Sequence, residues 1–254
     1  MNPKVIVITG ASSGIGAALA IQLGALGHNL ALAARREPEL KMVTEKSGAQ
    51  AISVTCDVTK RIQVEHLYRA AIEKFGHIDV WINNAGRGIG RSVLELTDDD
   101  LDEMISVNVK SALYGMQVAI PHFKERGRGH LINVSSFLGR VPFVPFRSAY
   151  SAAKAALNSL TANLRMELKP QFPEIQISVV MPGAVTTDFS KNALWGTPPF
   201  RLTNSRMKPQ TAEEVAQVIV SFIENPKPEI YTNPASAEIA LRYYQDVGAF
   251  ENAM

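Results

Sequence analysis

The sequence has few of the features that mark secreted, membrane-spanning or metal-binding proteins. Cys56 is the single cysteine among 254 residues, which excludes an internal disulfide and fits a reducing compartment. The most apolar stretch, LGALGHNLALAA, is interrupted by His28 and Asn29, and the apolar run at the N-terminus is too short for a signal peptide. We therefore expect a soluble intracellular protein, located in the cytoplasm.

Neither positive nor negative charge is present in large excess. The 26 Lys and Arg residues nearly balance 24 Asp and Glu residues, and no long run of either sign suggests a nucleic-acid partner. The chain contains five histidines, His28, His66, His77, His122 and His130. Their spacing is not that of a metal site, and the run Asp98 to Asp100 after Thr97 indicates the start of a helix. We assign no metal.

The chain is long enough, and with 46% hydrophobic residues apolar enough, to bury a large core in one α/β domain or two small ones. Short β-branched runs alternate with helical patterns, which predicts a doubly wound parallel sheet in a three-layer α/β/α arrangement. The predicted strands are KVIVIT, NLALAA, AISVT, IDVWIN, HLINVS and QISVVM. The predicted helices are 17–26, 64–75, 101–123, 152–168 and 212–224. No linker or repeat divides them, so we expect a single domain over residues 1–254.

An irregular segment covers residues 189–211, where Pro, Gly and polar residues surround isolated Leu194, Trp195 and Phe200. It lies between a strand ending near Met181 and a predicted helix. That position is over the carboxyl edge of the sheet, where ligands bind in such folds. The segment is either a substrate lid or a mobile surface loop.

The first predicted strand leads directly into TGASSGIG, residues 9–16, and then into an apolar helix. Its glycines permit a tight turn that brings backbone N–H groups and the positive end of a helix against a pyrophosphate. This pattern predicts dinucleotide binding.

The second predicted strand ends in ALAARRE, with Ala34, Arg35 and Arg36 where an acidic residue would bind the ribose 2′-hydroxyl of NAD. A guanidinium there suits the 2′-phosphate of NADP instead. Alternatively, the two arginines are solvated residues that begin a helix.

The stretch AYSAAKAAL, residues 149–157, places Tyr150 and Lys154 four positions apart on one face of a helix. An ammonium beside a phenol favours the phenolate and lowers its pKa, so Tyr150 could exchange protons closer to neutral pH. In isolation the pair indicates no more than two neighbouring helix residues.

The order of these motifs resembles that of the short-chain dehydrogenase/reductase family. The matching segments are TGASSGIG, CDVT at 56–59, NNAG at 83–86, Asn108, NVSS at 133–136, YSAAK and PGAVTT at 182–187. They span roughly residues 4–232. The resemblance implies a Rossmann fold, an NAD(P) cofactor and oxidoreductase activity on a small-molecule carbonyl or alcohol. The arginines after the second predicted strand make NADP(H) the predicted cofactor. It also implies a homodimer or homotetramer in which helices 101–123 and 152–168 pack across an interface.

The resemblance assigns coenzyme contacts to individual residues. The pyrophosphate would lie against Gly10, Ser12, Ser13, Gly14, Ile15 and Gly16. The adenine would face Asp57 and Val58, and the adenosine ribose would border Asn84, Ala85 and Gly86. The nicotinamide would be held by Pro182, Gly183, Val185 and Thr187, with Tyr150 and Lys154 completing the site. Asp57 has an alternative role as a turn former after a strand.

The same resemblance makes Tyr150 the group that exchanges a proton with the substrate oxygen while a hydride moves to or from the nicotinamide. Either Ser135 or Ser136 could donate to that oxygen. We choose Ser136, because Ser136 and Gly139 fit the family's Ser-x-x-Gly pattern and strand alternation sends Ser135 to the opposite side. Ser136 and Tyr150 are fourteen positions apart, one more than is common in the family, so the loop RVPFVPFRS contains the extra residue.

Asn108 is unfavourable inside a helix unless its amide has a local task. The resemblance implies that Asn108 bends its helix and holds a water linking Lys154 to solvent; otherwise its role is structural. Together, Asn108, Ser136, Tyr150 and Lys154 form the predicted catalytic set.

Four apolar residues of the loop before Tyr150 either wall a substrate pocket or fill the core: Val141, Phe143, Val144 and Phe146. We therefore predict NADPH-dependent reduction of a carbonyl group, or the reverse oxidation, on a small or medium apolar substrate. Two alternatives are an NAD-dependent polyol or sugar dehydrogenase and a nucleotide-sensing protein without catalytic activity.

Overall fold

The computed structural model describes residues 2–48, 50–196 and 208–253. In this part of the chain the strands are β1 (Val5–Thr9), β2 (Asn29–Ala34), β3 (Ala51–Thr55), β4 (Val80–Asn83), β5 (Gly129–Val134), β6 (Ile175–Met181), β7 (Val185–Thr186), β8 (Gln210–Thr211) and β9 (Glu229–Tyr231). The helices are α1 (Gly14–Ala25), α2 (Glu37–Lys46), α3 (Arg61–Phe75), α4 (Asp98–Ile105), α5 (Ser111–Arg126), α6 (Ser148–Leu168), α7 (Ala212–Glu224), α8 (Ser236–Gln245) and α9 (Val247–Asn252).

The main sheet has seven strands in the order β3-β2-β1-β4-β5-β6-β9, and all neighbouring strands are parallel. The chain winds outward from β1 to β3, returns to β4 on the other side of β1, and then winds outward again to β9. The topological switch point of this doubly wound sheet therefore lies between β1 and β4. The arrangement confirms the predicted fold class.

Alternating residues of the central strands enter two separate cores. Ile6 and Ile8 of β1 face the layer formed by α1, α2 and α7, where they pack in one cluster with Phe222. Val5 and Val7 face the opposite layer, formed by α3, α5 and α6. Burial on both faces explains why these strands are continuous apolar runs.

The predicted bounds of β2, β3 and α7 agree with the structure, whereas α2, α8, α9 and the short strands β7, β8 and β9 were not predicted. The proposed lid at 189–211 is only partly described, because residues 197–207, including Phe200, lie outside the described residues. None of the described helices is long and apolar enough to cross a membrane.

Candidate active site

A cavity of about 1100 Å³ opens at the carboxyl ends of β1, β4, β5 and β6, beside the switch point of the sheet. Ligands of doubly wound folds bind at this edge. With the exception of Gly16 and Asn108, the sequence-predicted site residues all border this cavity: Gly10, Ser12, Ser13, Gly14, Ile15, Arg35, Arg36, Asp57, Val58, Asn84, Ala85, Gly86, Ser136, Tyr150, Lys154, Pro182, Gly183, Val185 and Thr187.

The glycine-rich turn needs its glycines for different reasons. Gly10 and Gly14 have φ angles of +68° and +54°, in the left-handed region that favours glycine. Gly16 is buried under the turn, where a Cβ atom would collide with the carbonyl oxygen of Gly10. Helix α1 begins at Gly14 with no acidic residue in its first turn. The turn therefore presents a positive helix end suited to a pyrophosphate.

Thr9, at the end of β1, connects this turn to the loop after β4. Its hydroxyl oxygen accepts hydrogen bonds from the backbone N–H groups of Asn84, at 3.0 Å, and Ala85, at 3.1 Å. The Asn84 side chain donates in turn to the carbonyl oxygens of Thr9, at 2.9 Å, and Gly10, at 3.3 Å. Asn84 and Ala85 thus fix the geometry of the turn, and sequence reasoning did not anticipate the role of Thr9.

After β3, Asp57 forms the turn that was its alternative interpretation. Its Oδ1 accepts from the backbone N–H of Thr59 at 3.0 Å and from the Thr59 hydroxyl at 2.8 Å. The same residue borders the cavity, so the structural role is compatible with a ligand contact. The neighbouring thiol of Cys56 is buried, which raises its pKa to about 11.

Arg36 and Arg35 follow β2 on the rim of the cavity, and both are exposed. Arg36 Nη2 lies 3.2 Å from the Ser12 hydroxyl, and Arg36 Nη1 lies 3.5 Å from a carboxylate oxygen of Glu39. Arg36 is thus oriented toward the glycine-rich turn.

Asn108 lies at the centre of a π-helical turn, Ser106–Lys110, that joins α4 to α5. Its Nδ2 donates to the carbonyl oxygens of Arg87, at 2.9 Å, and Met104, at 3.1 Å, while its Oδ1 accepts from the Arg87 N–H at 3.2 Å. This is the local task that its position in a helix required. Lys154 Nζ and Asn108 Oδ1 both lie beside Gly86, at 3.5 Å and 2.9 Å from where a Cβ atom would be.

Ser136 and Tyr150 border the same cavity, and the Ser136 hydroxyl lies near enough to the phenol to lower its pKa. Ser136 Oγ also accepts from the Leu138 N–H at 3.1 Å. Ser135 borders the same cavity, but its hydroxyl donates to the Lys154 carbonyl oxygen at 3.2 Å. The two serine hydroxyls therefore have different partners, although Ser135 does not lie on the opposite side of the chain from the cavity, where strand alternation had predicted it.

The protonation of Tyr150 and Lys154 differs from the expectation. Burial raises the pKa of Tyr150 to about 12, and the nearby Ser136 hydroxyl and the charge of Arg147 only partly oppose this shift. Burial also lowers the pKa of Lys154 to about 7, and its Nζ donates to the Val134 carbonyl oxygen at 3.0 Å. The prediction that Lys154 lowers the phenol pKa toward neutrality was wrong for the protein side chains by themselves. Desolvation raises the pKa of Tyr150 more than the neighbouring groups lower it.

The loop before Tyr150 divides between pocket and core. Phe143, Val144 and Phe146 border the cavity. Val141 is fully buried and packs with Phe137 against the C-terminal helices. The apolar residues of this loop thus include both pocket walls and core residues.

Trp195 anchors the described part of the 189–211 segment to the start of α4. Its Nε1 donates to Asp100 Oδ1 at 2.8 Å, and the Arg91 guanidinium stacks 4.0 Å above its ring. Arg91 Nη1 is 2.7 Å from Asp100 Oδ2, and Thr97 N–H donates to the same oxygen. Trp195 also has a φ angle of +61°, unusual for a bulky residue.

Asp100→Asn is expected to lower the free energy of unfolding at neutral pH by about 1.5 to 3 kcal/mol, the range for hydrogen bonds to a charged group. The hydrogen bonds from Trp195 and its neighbours lower the pKa of Asp100 from 3.8 to about 2. Because this pKa is depressed by folding, the stabilisation is present above about pH 4 and is lost as the pH falls toward about 2. Urea unfolding should therefore show a difference between variant and parent that shrinks on acidification.

Asp98→Asn is the matched control, since Asp98 is exposed in the same helical turn. Asp98→Asn should lower the free energy of unfolding by less than about 1 kcal/mol, which is the contribution of a carboxylate at the start of a helix. A pH-independent difference between Asp100→Asn and the parent would contradict the assigned role of the charge.

The described residues contain no group of three or more His, Cys, Asp or Glu side chains arranged to hold a metal ion.

Comparison with known proteins identifies the group to which these features belong. The family model described as short chain dehydrogenase matches residues 4–195. An uncharacterized oxidoreductase of Staphylococcus epidermidis is 31% identical over 226 residues, which cover 89% of this chain and 93% of the relative.

Two solved structures share the fold over most of both chains. A short-chain dehydrogenase/reductase from Burkholderia phymatum, in complex with NAD, is 29% identical with a TM-score of 0.86, covering 97% of this chain and 95% of its own. An alcohol dehydrogenase from the archaeon Thermococcus sibiricus, complexed with 5-hydroxy-NADP, is 27% identical with a TM-score of 0.79, covering 92% and 98%.

Proposed function

The chain belongs to the short-chain dehydrogenase/reductase family, and from that membership we propose that it is an NADPH-dependent reductase of ketones or aldehydes with apolar substituents. When bound, the nicotinamide coenzyme would supply the hydride. The single observation that supports this proposal most directly is that Ser136, Tyr150 and Lys154 border one cavity at the carboxyl edge of the sheet.

Tyr150 would donate its proton to the substrate oxygen. Because burial raises the pKa of this phenol to about 12, it is protonated at neutral pH and suited to the direction of reduction. Ser136 would donate to the same oxygen, which stabilises the charge that develops there. Lys154, fixed by the Val134 carbonyl oxygen and adjacent to Gly86, would contact the nicotinamide ribose.

Three observations support NADP as the coenzyme. Ala34 is a neutral residue at the position where NAD-binding proteins carry a carboxylate. Arg35 and Arg36 follow it on the cavity rim, and Arg36 is oriented toward Ser12 of the glycine-rich turn. A 2′-phosphate at that place would therefore meet two guanidinium groups and would compete with Glu39, which lies 3.5 Å from Arg36 Nη1.

We expect the enzyme to prefer NADPH over NADH by roughly ten- to a hundredfold in kcat/KM, which corresponds to a charge-assisted hydrogen bond of about 1.5 to 3 kcal/mol. Added salt should reduce the preference, because the arginines are exposed. Arg35→Ala should weaken NADPH and barely affect NADH. Ala34→Asp should favour NADH, because a carboxylate binds the ribose hydroxyl and repels the phosphate.

Arg128→Ala provides the control for net charge, because Arg128 is exposed before β5 at the opposite edge of the sheet. It should leave the coenzyme ratio unchanged. Equal use of both coenzymes at low salt by the parent would refute the proposed preference, as would an equal loss of both in Arg35→Ala.

The reaction itself is tested by following NADPH oxidation with a panel of ketones, aldehydes and diketones, using Tyr150→Phe as the blank. Polyol oxidation with NAD would favour the alternative dehydrogenase, and coenzyme binding without turnover would favour a sensor.

We also propose that the protein forms a homodimer or homotetramer, because α4 and α6 expose the apolar side chains of Leu101, Leu160 and Met166. We propose the cytoplasm as its location.

A further inference from the structure

Arg147 is a buried cation that borders the cavity, and the proposed chemistry gives it no role beyond the effect of its charge on the pKa of Tyr150. It is 7% exposed. Its Nη1 donates to the Ile89 carbonyl oxygen at 3.0 Å, and its Nη2 lies 3.5 Å from the Ser190 hydroxyl. Because a guanidinium stays protonated in proteins, this wall carries a fixed positive charge.

The guanidinium lies close to the reacting group. Arg147 directly precedes α6, three positions before Tyr150, and both residues border the cavity. The Phe189 ring connects them, with its centroid 5.5 Å from that of Tyr150 and 6.0 Å from Arg147 Cζ. A Cβ atom at Gly88 would lie 2.5 Å from Arg147 Nη1, so the glycine provides the space that the guanidinium occupies.

The described residues that border the cavity carry an excess of positive charge. Its basic side chains are Arg35, Arg36, Arg87, Arg147, Lys154 and Lys208, of which Arg36 is paired with Glu39 at 3.5 Å and Arg87 with Glu103 at 3.3 Å. The acidic ones are Asp57, at the adenine end, and Asp188, which is exposed and paired with Lys191 at 2.8 Å. The proposed coenzyme accounts for the cations at the β2 end and for Lys154, whereas Arg147 lies on the substrate side.

On the basis of the proposed function, we propose that Arg147 forms a carboxylate-binding subsite, so that the substrate is a keto acid with an apolar body. A planar guanidinium fork matches a carboxylate, and the attraction is strong where water is excluded. Phe143 and Phe146 line the same cavity and suit a carbon chain or an aromatic ring, and the Phe146 ring centroid lies 5.5 Å from Arg147 Cζ. The substrate oxygen would contact Tyr150 and Ser136 while the carboxylate contacts Arg147.

The probe is a matched pair, 2-oxo-4-phenylbutyrate and its ethyl ester, reduced with saturating NADPH. A second pair, 4-oxo-4-phenylbutyrate and its ethyl ester, changes the separation of carbonyl and carboxylate. With the parent we expect the acid of at least one pair to exceed its ester roughly ten- to a hundredfold in kcat/KM. Arg147→Gln should abolish this ratio and leave the ester within about threefold. Arg147→Lys should retain part of the ratio of acid to ester, because lysine keeps the positive charge. This variant tests the proposal if Arg147→Gln folds poorly.

Lys208→Gln is the matched control, because Lys208 also borders the cavity but is exposed. It should leave the ratio of acid to ester unchanged. Binding without turnover provides an independent readout: calorimetry on the enzyme with NADP⁺ should show that 4-phenylbutyrate binds more tightly than 4-phenylbutanamide, and that Arg147→Gln removes the difference.

An acid preference that persists in Arg147→Gln, or that disappears only in Lys208→Gln, would overturn the assignment. Equal reduction of acid and ester by the parent would also overturn it while leaving the reductase function intact. If the parent reduced neither pair nor any member of the ketone panel, and matched Tyr150→Phe throughout, the proposed function itself would fail.

Discussion

Tyr150→Phe is expected to lower kcat for carbonyl reduction by a factor of about 10² to 10⁴, the usual contribution of a general acid, with almost no change in affinity for NADPH. Phenylalanine preserves the ring, including its packing against Phe189 at 5.5 Å between centroids. The change removes only the phenol hydroxyl of a residue that borders the cavity together with Ser136. Loss of kcat with unchanged coenzyme affinity would therefore separate proton transfer from binding.

Steady-state kinetics and NADPH fluorescence titration measure the two quantities separately. Tyr244→Phe is the matched control, because it removes a phenol whose hydroxyl donates to the Arg140 carbonyl oxygen at 2.9 Å, away from the cavity. It should keep activity within about twofold of the parent. If Tyr150→Phe retained activity within about threefold, Tyr150 would not be the proton donor.

The parts of the fold that could be predicted from sequence are those with a strong local pattern. Strands β2 and β3 and helix α7 have their predicted bounds, and α7 begins with a capping box between Thr211 and Glu214. Helix α2 was missed because most of its residues are polar and only Leu40 and Val43 are buried. Its position depends on packing against the sheet rather than on an apolar stripe of its own.

The candidate site shows the same division between local and tertiary information. The glycine-rich turn and the Tyr150–Lys154 pair could be located from motifs, because their spacing is fixed along the chain. The burial that raises the pKa of Tyr150 could not, since it depends on elements distant in sequence. Arg147 likewise resembles a solvated residue before a helix, and it is buried only because Gly88 and Phe189 come from two other loops.

Ser136→Ala is expected to lower kcat/KM by about 10² to 10³, the cost of removing one hydrogen-bond donor from a developing oxyanion. Ser135→Ala provides the comparison within the same strand end. Its hydroxyl donates to the Lys154 carbonyl oxygen at 3.2 Å, so its loss should cost about 1 kcal/mol of stability and less than tenfold in activity.

The contrast between the two serines has a structural cause. Ser135 N–H is bonded to the Val180 carbonyl oxygen and Phe137 N–H to the Pro182 carbonyl oxygen, both at 2.8 Å, so the backbone on either side of Ser136 is fixed. Ser136 caps the short turn Phe137–Gly139 by accepting from the Leu138 N–H. Its hydroxyl oxygen therefore has an acceptor role in the turn, which leaves its hydrogen available for an oxygen in the cavity.

Ser136→Thr tests that orientation, because threonine keeps the hydroxyl and can still cap the turn. It should retain more activity than Ser136→Ala, whereas a role limited to capping would make the three variants differ in thermal stability but not in turnover. Rate measurements under saturating NADPH, together with thermal unfolding of each variant, distinguish these cases. A larger loss of turnover in Ser135→Ala than in Ser136→Ala would place the donor one residue earlier, on the side that faces α6.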